Sequence, residues 1–437
     1  MATIAPTRDT AAPVAGDLGG ALPKSRMYYV DNVRVFIIMA TAAHHAANPY
    51  GGPDFWYFQS PDPPSPLVGI VLTWIPSFSM ATLLLFSGYL VGPSFDRRGR
   101  VSYMTEKFVR LGIPLLIGFL IYIPLITYWY HITARGRADD SFWYYWRHVW
   151  FGSGPRPDDW IGPWPDRHLS HLWYIEHLFF YSVCYGIWRI ATPYVLRAWD
   201  AVKQRLRPSA APQAPREIPD RTVRVEREPP GWVAIGLFTL VLSAVTYVTR
   251  IWYPLTQVDT LLGFLQVEVA HYPHWLAFFF VGLAAYRYNW MQNFPTRRGM
   301  ILLYIALALT ALEIYVHFSP TYSPWFFSPA AYGGLTSESL VKTVWETCFC
   351  VSLTVGLVIV FRQRLNFQGR LARALSANAY AVHIFHQGVV VALQFLLAGL
   401  AIHVFGKFVI VMILGIILSN LLCHYVIRRL PFATRVL

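Results

Sequence analysis

Residues 28–52 read YYVDNVRVFIIMATAAHHAANPYGG. The stretch has the length and much of the apolarity of a membrane-crossing helix, which needs roughly 20 mainly apolar residues. Yet it carries Asp31, Arg34, His44 and His45, none of which lipid tails solvate. On a helix turning about 100° per residue, Asp31, Arg34, Ile38, Thr41 and His45 make one stripe, and His44 falls about a quarter turn away. Arg34 and His45 are three turns apart, about 16–17 Å along the axis at 1.5 Å per residue. Intramembrane charges line a protein interior or a wet cavity, or else snorkel to the headgroups. The first alternative makes the stripe a polar passage with a cation near one mouth. A neutral imidazole lies further along it and can take a proton from a hydroxyl near neutral pH.

The rest of the chain agrees with a membrane setting. Its 437 residues are 55% hydrophobic and only 14% charged, with a mean hydropathy of +0.39. The 17 Trp and 26 Tyr suit interfacial aromatic belts. Apolar segments recur near 30–49, 67–92, 110–131, 171–193, 232–253, 273–290, 299–318, 338–361, 375–398 and 402–427. The fold expected is therefore an all-α polytopic transmembrane bundle of about ten helices. With the N-terminus cytoplasmic, most of the 36 Lys and Arg fall in alternate loops on that side. By the positive-inside rule this puts both termini in the cytoplasm. The net charge of +13 is then a consequence of topology and calls for no nucleic acid. A soluble protein is excluded by hydropathy.

Residues 1–27, rich in Ala, Pro, Gly and Thr, read as a disordered cytoplasmic tail without a signal-peptide core. Residues 28–196 form the first half of the transmembrane domain (four helices) and 232–437 the second half (six helices). Between them, 197–231 reads as a cytoplasmic linker mixing Pro with both charge signs. There is no internal repeat. The outer segment 132–170 is crowded with Trp, Tyr, Asp and Arg, a composition that suits either sugar stacking or an interfacial position. The four cysteines lie in apolar segments and imply no disulfide framework. Glu268, His271 and His274 make too sparse a donor set for a metal, and none is expected.

Six stretches taken in order carry a family resemblance. Arg34, ten intervening residues and His45 resemble the Arg-x10-His signature of the integral-membrane acyltransferase 3 family. LFSGYL (85–90), KFVRLGIPLLIG (107–118), HLWYIEHLFFY (171–181), HYPHWLAFFFVGLAAYR (271–287) and LSANAYAVHIFHQGVV (375–390) are similar to its later motifs. The fifth looks like the glucan biosynthesis protein C-like branch. One position departs: relatives carry a Glu five residues after the Trp of the fourth motif, where this chain has Leu178, with Glu176 nearby.

The resemblance implies a bacterial inner-membrane enzyme that moves an acyl group, acetyl or succinyl, from cytoplasmic acyl-CoA to a hydroxyl of an extracytoplasmic glycan or related acceptor. Acyl-CoA is then a co-substrate, and membrane lipid, acyl-CoA and the acceptor are the partners. His45 is the expected general base, with Asp31 orienting Arg34. Arg34, Lys107 and Arg110 are expected to hold CoA phosphates. Lys107 and Arg110 also read as ordinary positive-inside charges. His171, Trp173, Glu176 and His386 are expected around the acceptor, and His383 shares the helix of His386. A non-catalytic transporter or flippase of a lipid-linked glycan or acyl donor is the competing reading.

Overall fold

A computed structural model of the chain describes residues 27–52, 56–160, 162, 164–206 and 225–436. The expected tail up to residue 26 and residues 207–224 of the expected linker lie outside the described residues. The long helices are α1 (Tyr28–Gly51), α2 (Pro66–Trp74) and α3 (Ser79–Arg98), then α4 (Arg100–Thr133), a continuous helical path. They continue with α5 (Trp173–Leu206), α6 (Trp232–Trp252), α7 (Tyr272–Arg287) and α8 (Thr296–Phe318). The last three are α9 (Ser337–Arg364), α10 (Arg370–Leu397) and α11 (Val404–Tyr425). The chain is 76% helical. One departure from an all-α fold is a hairpin of β1 (Asp259–Leu261) and β2 (Leu265–Val267), paired antiparallel with Asp259 opposite Val267. Its turn places Leu262 and Gly263 at φ 56° and 74°.

Seven helical stretches among the described residues are long and apolar enough to cross a bilayer. α2 with α3 makes one of them. α4, α6, α8, α9, α10 and a stretch beginning with α11 make the others. The three remaining expected spans are helical too, as α1, α5 and α7. α1 carries the polar stripe, and α7 has 16 residues, fewer than an upright span requires. α5 runs on to Leu206, into the stretch expected to be linker.

α1 is central, packing against α2, α3, α9, α10 and α11. The two sequence halves are thus interleaved in space. Their tightest meeting is between α3 and α7, where two motif glycines face opposite backbones. A Cβ on Gly88 would stand on the carbonyl of Phe279, and one on Gly282 would stand on the carbonyl of Leu85. Small residues of this kind let membrane helices approach until their backbones touch.

Helix-interior prolines explain several of the other joints. Proline lacks an N–H and crowds the carbonyl four residues before it, which loses its helical partner. Pro114 frees the carbonyl of Arg110, and the Tyr380 hydroxyl of α10 donates to it at 2.6 Å. Pro124 frees that of Leu120, and the Trp146 indole N–H donates to it at 2.8 Å. Each proline follows a widened π turn, Phe108–Gly112 and Gly118–Tyr122 respectively. In α1, Pro49 frees the carbonyl of His45, and the Gln394 amide of α10 donates to it at 3.2 Å. Polar side chains therefore join helices at the points where proline leaves an acceptor unused.

The segment after α4 is internally stapled. Arg135 pairs with the buried Asp166 at 2.6 Å, and the Tyr145 hydroxyl donates to the same carboxylate at 2.9 Å. The Arg135 guanidinium also lies 4.0 Å from the centre of the Trp160 ring. Tyr145, Trp150 and Trp160 face inward, whereas Trp143 is exposed. Elsewhere, the fully buried Arg250 of α6 donates to Glu346 of α9 at 2.7 Å and to Thr343 at 3.2 Å. This compensates each charge locally, as an apolar surround requires.

Candidate active site

Four imidazoles from three parts of the chain converge. His45 comes from α1, His171 from a single 3-10 turn ahead of α5, and His383 and His386 from α10. His45 Nδ1 and His386 Nε2 are 2.8 Å apart. The His171 ring lies 6.0 Å from that of His45, 5.3 Å from His386 and 6.2 Å from His383. His171, His383 and His386 are buried, and His45 keeps partial exposure. As the stripe predicts, His45 and not His44 faces this group.

The surrounding polar side chains hold the rings in place. Gln394 joins the His45 carbonyl, and its own oxygen accepts from the Trp56 indole at 2.6 Å. Trp56 in turn lies against the His45 ring, with centroids 5.2 Å apart. His171 Nε2 donates to the carbonyl of Ile384 at 2.7 Å, which leaves Nδ1 of the neutral ring as a buried lone pair. Just before His171, Ser170 sits in left-handed backbone at φ 48°. Its hydroxyl accepts from Tyr57 at 2.8 Å and donates to Gln387 at 3.1 Å. A strained non-glycine residue held from both sides beside the cluster fits a position where geometry matters more than relaxation. Replacing Gln394 with Leu strands the Trp56 N–H and the His45 carbonyl. The expected cost is about 1–3 kcal/mol, seen as a lower unfolding midpoint in detergent, together with slower turnover.

Polar groups extend from the imidazoles toward the N-terminal end of α1. The Tyr174 ring lies 5.3 Å from that of His383, and the Tyr174 hydroxyl is 3.2 Å from that of Ser87, within the LFSGYL motif. Further along, the Tyr380 hydroxyl donates to the Arg110 carbonyl at 2.6 Å. Lys107 and Arg110 share Glu106 with Arg98, at 3.8, 3.5 and 2.8 Å. Three cations around one carboxylate leave that end of the bundle positive. Arg34 belongs to no ion pair among the described residues. Arg34 is partly buried with no paired carboxylate among the described residues, a setting that favours an anionic ligand.

The remaining expected residues lie apart from the imidazoles. Among the described residues no ion pair joins Asp31 to Arg34. Trp173 stacks on Trp275, with centroids 4.5 Å apart, so one ring face is taken. Glu176 accepts from the Gln266 backbone N–H at 3.3 Å and so belongs to the hairpin side. His271 pairs with Glu268 at 3.3 Å, and His274 meets Thr347 at 3.1 Å. Among the described residues no three His, Cys, Asp or Glu side chains are placed to hold a metal ion. An apolar groove of about 390 Å³ between α4 and α5 is lined by Phe108, Leu116, Phe119 and Phe179, and none of the four imidazoles lines it. The site is therefore assigned by its chemistry and not by the size of a void.

Comparison with known sequences places this geometry. The model of an acyltransferase domain, that of the acyltransferase 3 family, matches residues 27–424. The chain belongs to the acyltransferase 3 family. No curated protein and no solved structure matches it. As an acyltransferase 3 protein with seven apolar spanning stretches, it is a multi-pass membrane acyltransferase. The competing non-catalytic transporter is set aside by that membership.

In this acyltransferase, reading the sequence missed Trp56, Tyr57, Ser170, Gln387 and Gln394. A signal existed on α10: His383, His386, Gln387 and Gln394 recur at helical spacing as a polar stripe in an otherwise apolar segment. Trp56 and Tyr57, in a connecting segment, carry no such periodicity.

Proposed function

We propose that the protein transfers an acyl group, acetyl or succinyl, from cytoplasmic acyl-CoA to a hydroxyl of an extracytoplasmic glycan or related acceptor, with His45 as general base. The observation that carries this is the arrangement of α1. Arg34, in no ion pair among the described residues, stands at one end of a line of polar groups, and His45 meets three other imidazoles about 16–17 Å further along the helix. The separation matches the reach of a pantetheine arm with its phosphates at the cationic end. Arg34, with Lys107 and Arg110 beside Glu106, holds those phosphates. His171 and His386 line the acceptor side, and Trp173 and Glu176 shape its approach from the hairpin.

In the reaction, His45 takes the proton of the acceptor hydroxyl as its oxygen attacks the thioester carbonyl. The carbon–sulfur bond then breaks. The proton passes from His45 to the departing sulfur, leaving an ester and free CoA thiol, with no net change in protons.

The same reading supplies the setting. α1, α5 and α7 join the seven apolar stretches as spans shielded by their neighbours, giving ten crossings. Both termini are cytoplasmic, and the host is a bacterial inner membrane. The tail and linker are cytoplasmic, and the fifth motif puts the chain near the glucan biosynthesis protein C-like branch.

The test is acyl transfer or acyl-CoA hydrolysis by the full chain in nanodiscs, with acetyl- and succinyl-CoA, alongside Arg34→Gln. Wild type is expected to turn over at least one donor. Arg34→Gln is expected to raise the acyl-CoA KM by tenfold or more and to change kcat less, since losing a charge-assisted phosphate contact costs about 1.5–3 kcal/mol. A wild type that neither binds nor consumes any acyl-CoA ends this reading.

A further inference from the structure

We infer that His386 is a positioning residue that fixes His45 in the tautomer whose Nε2 is the basic nitrogen. The inference rests on the reading of His45 as general base.

The protonation pattern follows from hydrogen-bond accounting along the chain of contacts. His386 Nδ1 lies 2.9 Å from the carbonyl of Val382 and 2.9 Å from that of His383. Both are acceptors only, so this nitrogen carries the hydrogen. In a neutral ring the other nitrogen, Nε2, then offers a lone pair. It faces His45 Nδ1 at 2.8 Å, so His45 Nδ1 is the donor. Neutral His45 is thereby left with its lone pair on Nε2, which no hydrogen bond of the described residues occupies. The two ring planes are 7° apart with centroids 4.9 Å apart. That spacing is about two ring radii plus one N···N hydrogen bond. The rings are therefore nearly parallel and meet nitrogen to nitrogen at their edges.

The source of this order is the α10 backbone. Its carbonyls one turn back choose the His386 tautomer, and His386 chooses that of His45. No carboxylate of the described residues is involved, although a carboxylate is a frequent orienter of catalytic histidines. The other titratable rings facing His386 are His171 and His383, at 5.3 and 6.1 Å. His171 donates through Nε2 to Ile384, and its Nδ1 makes no hydrogen bond among the described residues, so it does not take the His45 hydrogen. The arrangement also suits the base after it has taken a proton. Both nitrogens of cationic His45 are then donors, and Nδ1–H keeps its acceptor on His386.

Two measurements on the full chain in nanodiscs test the inference. In the first, ¹⁵N-histidine spectra are recorded for wild type and His45→Gln, and their difference isolates the His45 ring. A pyrrole-type Nδ1 and a pyridine-type Nε2 are expected, and His386→Ala is expected to mix the two forms. A wild-type His45 protonated on Nε2 overturns the inference whether or not transfer is detected. In the second, His386→Ala and His386→Gln are compared with wild type in acyl transfer. At least about a tenfold loss of kcat is expected in His386→Ala, with the acyl-CoA KM little changed. A part of that loss should return in His386→Gln, whose side-chain oxygen is again an acceptor. Equal kcat in wild type and His386→Ala, or a loss confined to KM, overturns it. A wild type that transfers nothing but shows the expected tautomer would count against the proposed reaction and leave the ordering of the two rings standing.

Discussion

His45→Ala is expected to lose acyl transfer by a factor of about 10²–10⁴ while still binding acyl-CoA. That is the usual worth of a positioned general base, about 3–5 kcal/mol of barrier. The separation of effects follows from the layout of α1. Phosphate affinity resides with Arg34, Lys107 and Arg110 at one end, and proton transfer with His45 three turns away. Isothermal titration with a non-hydrolysable acyl-CoA analogue and a turnover assay on the same preparations read the two quantities apart. His44→Ala is the matched control, because His44 lies off the stripe and is expected to keep most turnover. Unchanged turnover in His45→Ala would remove that ring from the chemistry. Lost CoA binding together with lost turnover would assign it to the donor site instead.

The second large effect concerns the α3–α7 crossing. Gly88→Leu and Gly282→Leu are each expected to prevent recovery of folded protein. At both positions the added carbon meets backbone atoms of the opposite helix and not the flexible end of a side chain. The strain is relieved only if the helices separate, and overpacking of this kind costs about 1–3 kcal/mol or more. Separation would also disturb Ser87 and Tyr89, which flank Gly88 on α3, and through Ser87 the contact to Tyr174. Gly236→Ala in α6 is the control: nothing lies within 4 Å of the added carbon, so it is expected to be neutral or mildly stabilising. Size-exclusion profiles and thermal unfolding in detergent distinguish the outcomes. A well-folded Gly88→Leu would show that the crossing is not a close backbone contact.

Much of this protein is legible along the chain. Hydropathy locates the helices, because a segment that must live in lipid satisfies its own backbone and shows its environment in its composition. The helical period puts Arg34 and His45 on one face of α1, since the face depends on residue spacing alone. The order of the motifs carries the family. What the chain does not show locally shares one cause. The His45 partner on α10 is 341 residues away in sequence. Nothing local to either ring says that one will choose the tautomer of the other. Trp173 and Glu176 lie two and five residues past His171, and their contacts are with Trp275 and Gln266. Pro49 lies in the last turn of α1. Only the packed bundle shows that the carbonyl it frees is the one on His45, and that Gln394 takes it. Composition and period determine where each helix lies and which face is polar. Which polar faces meet, and which nitrogen is left bare where they do, depends on contacts between distant segments, and those exist only once the helices are packed.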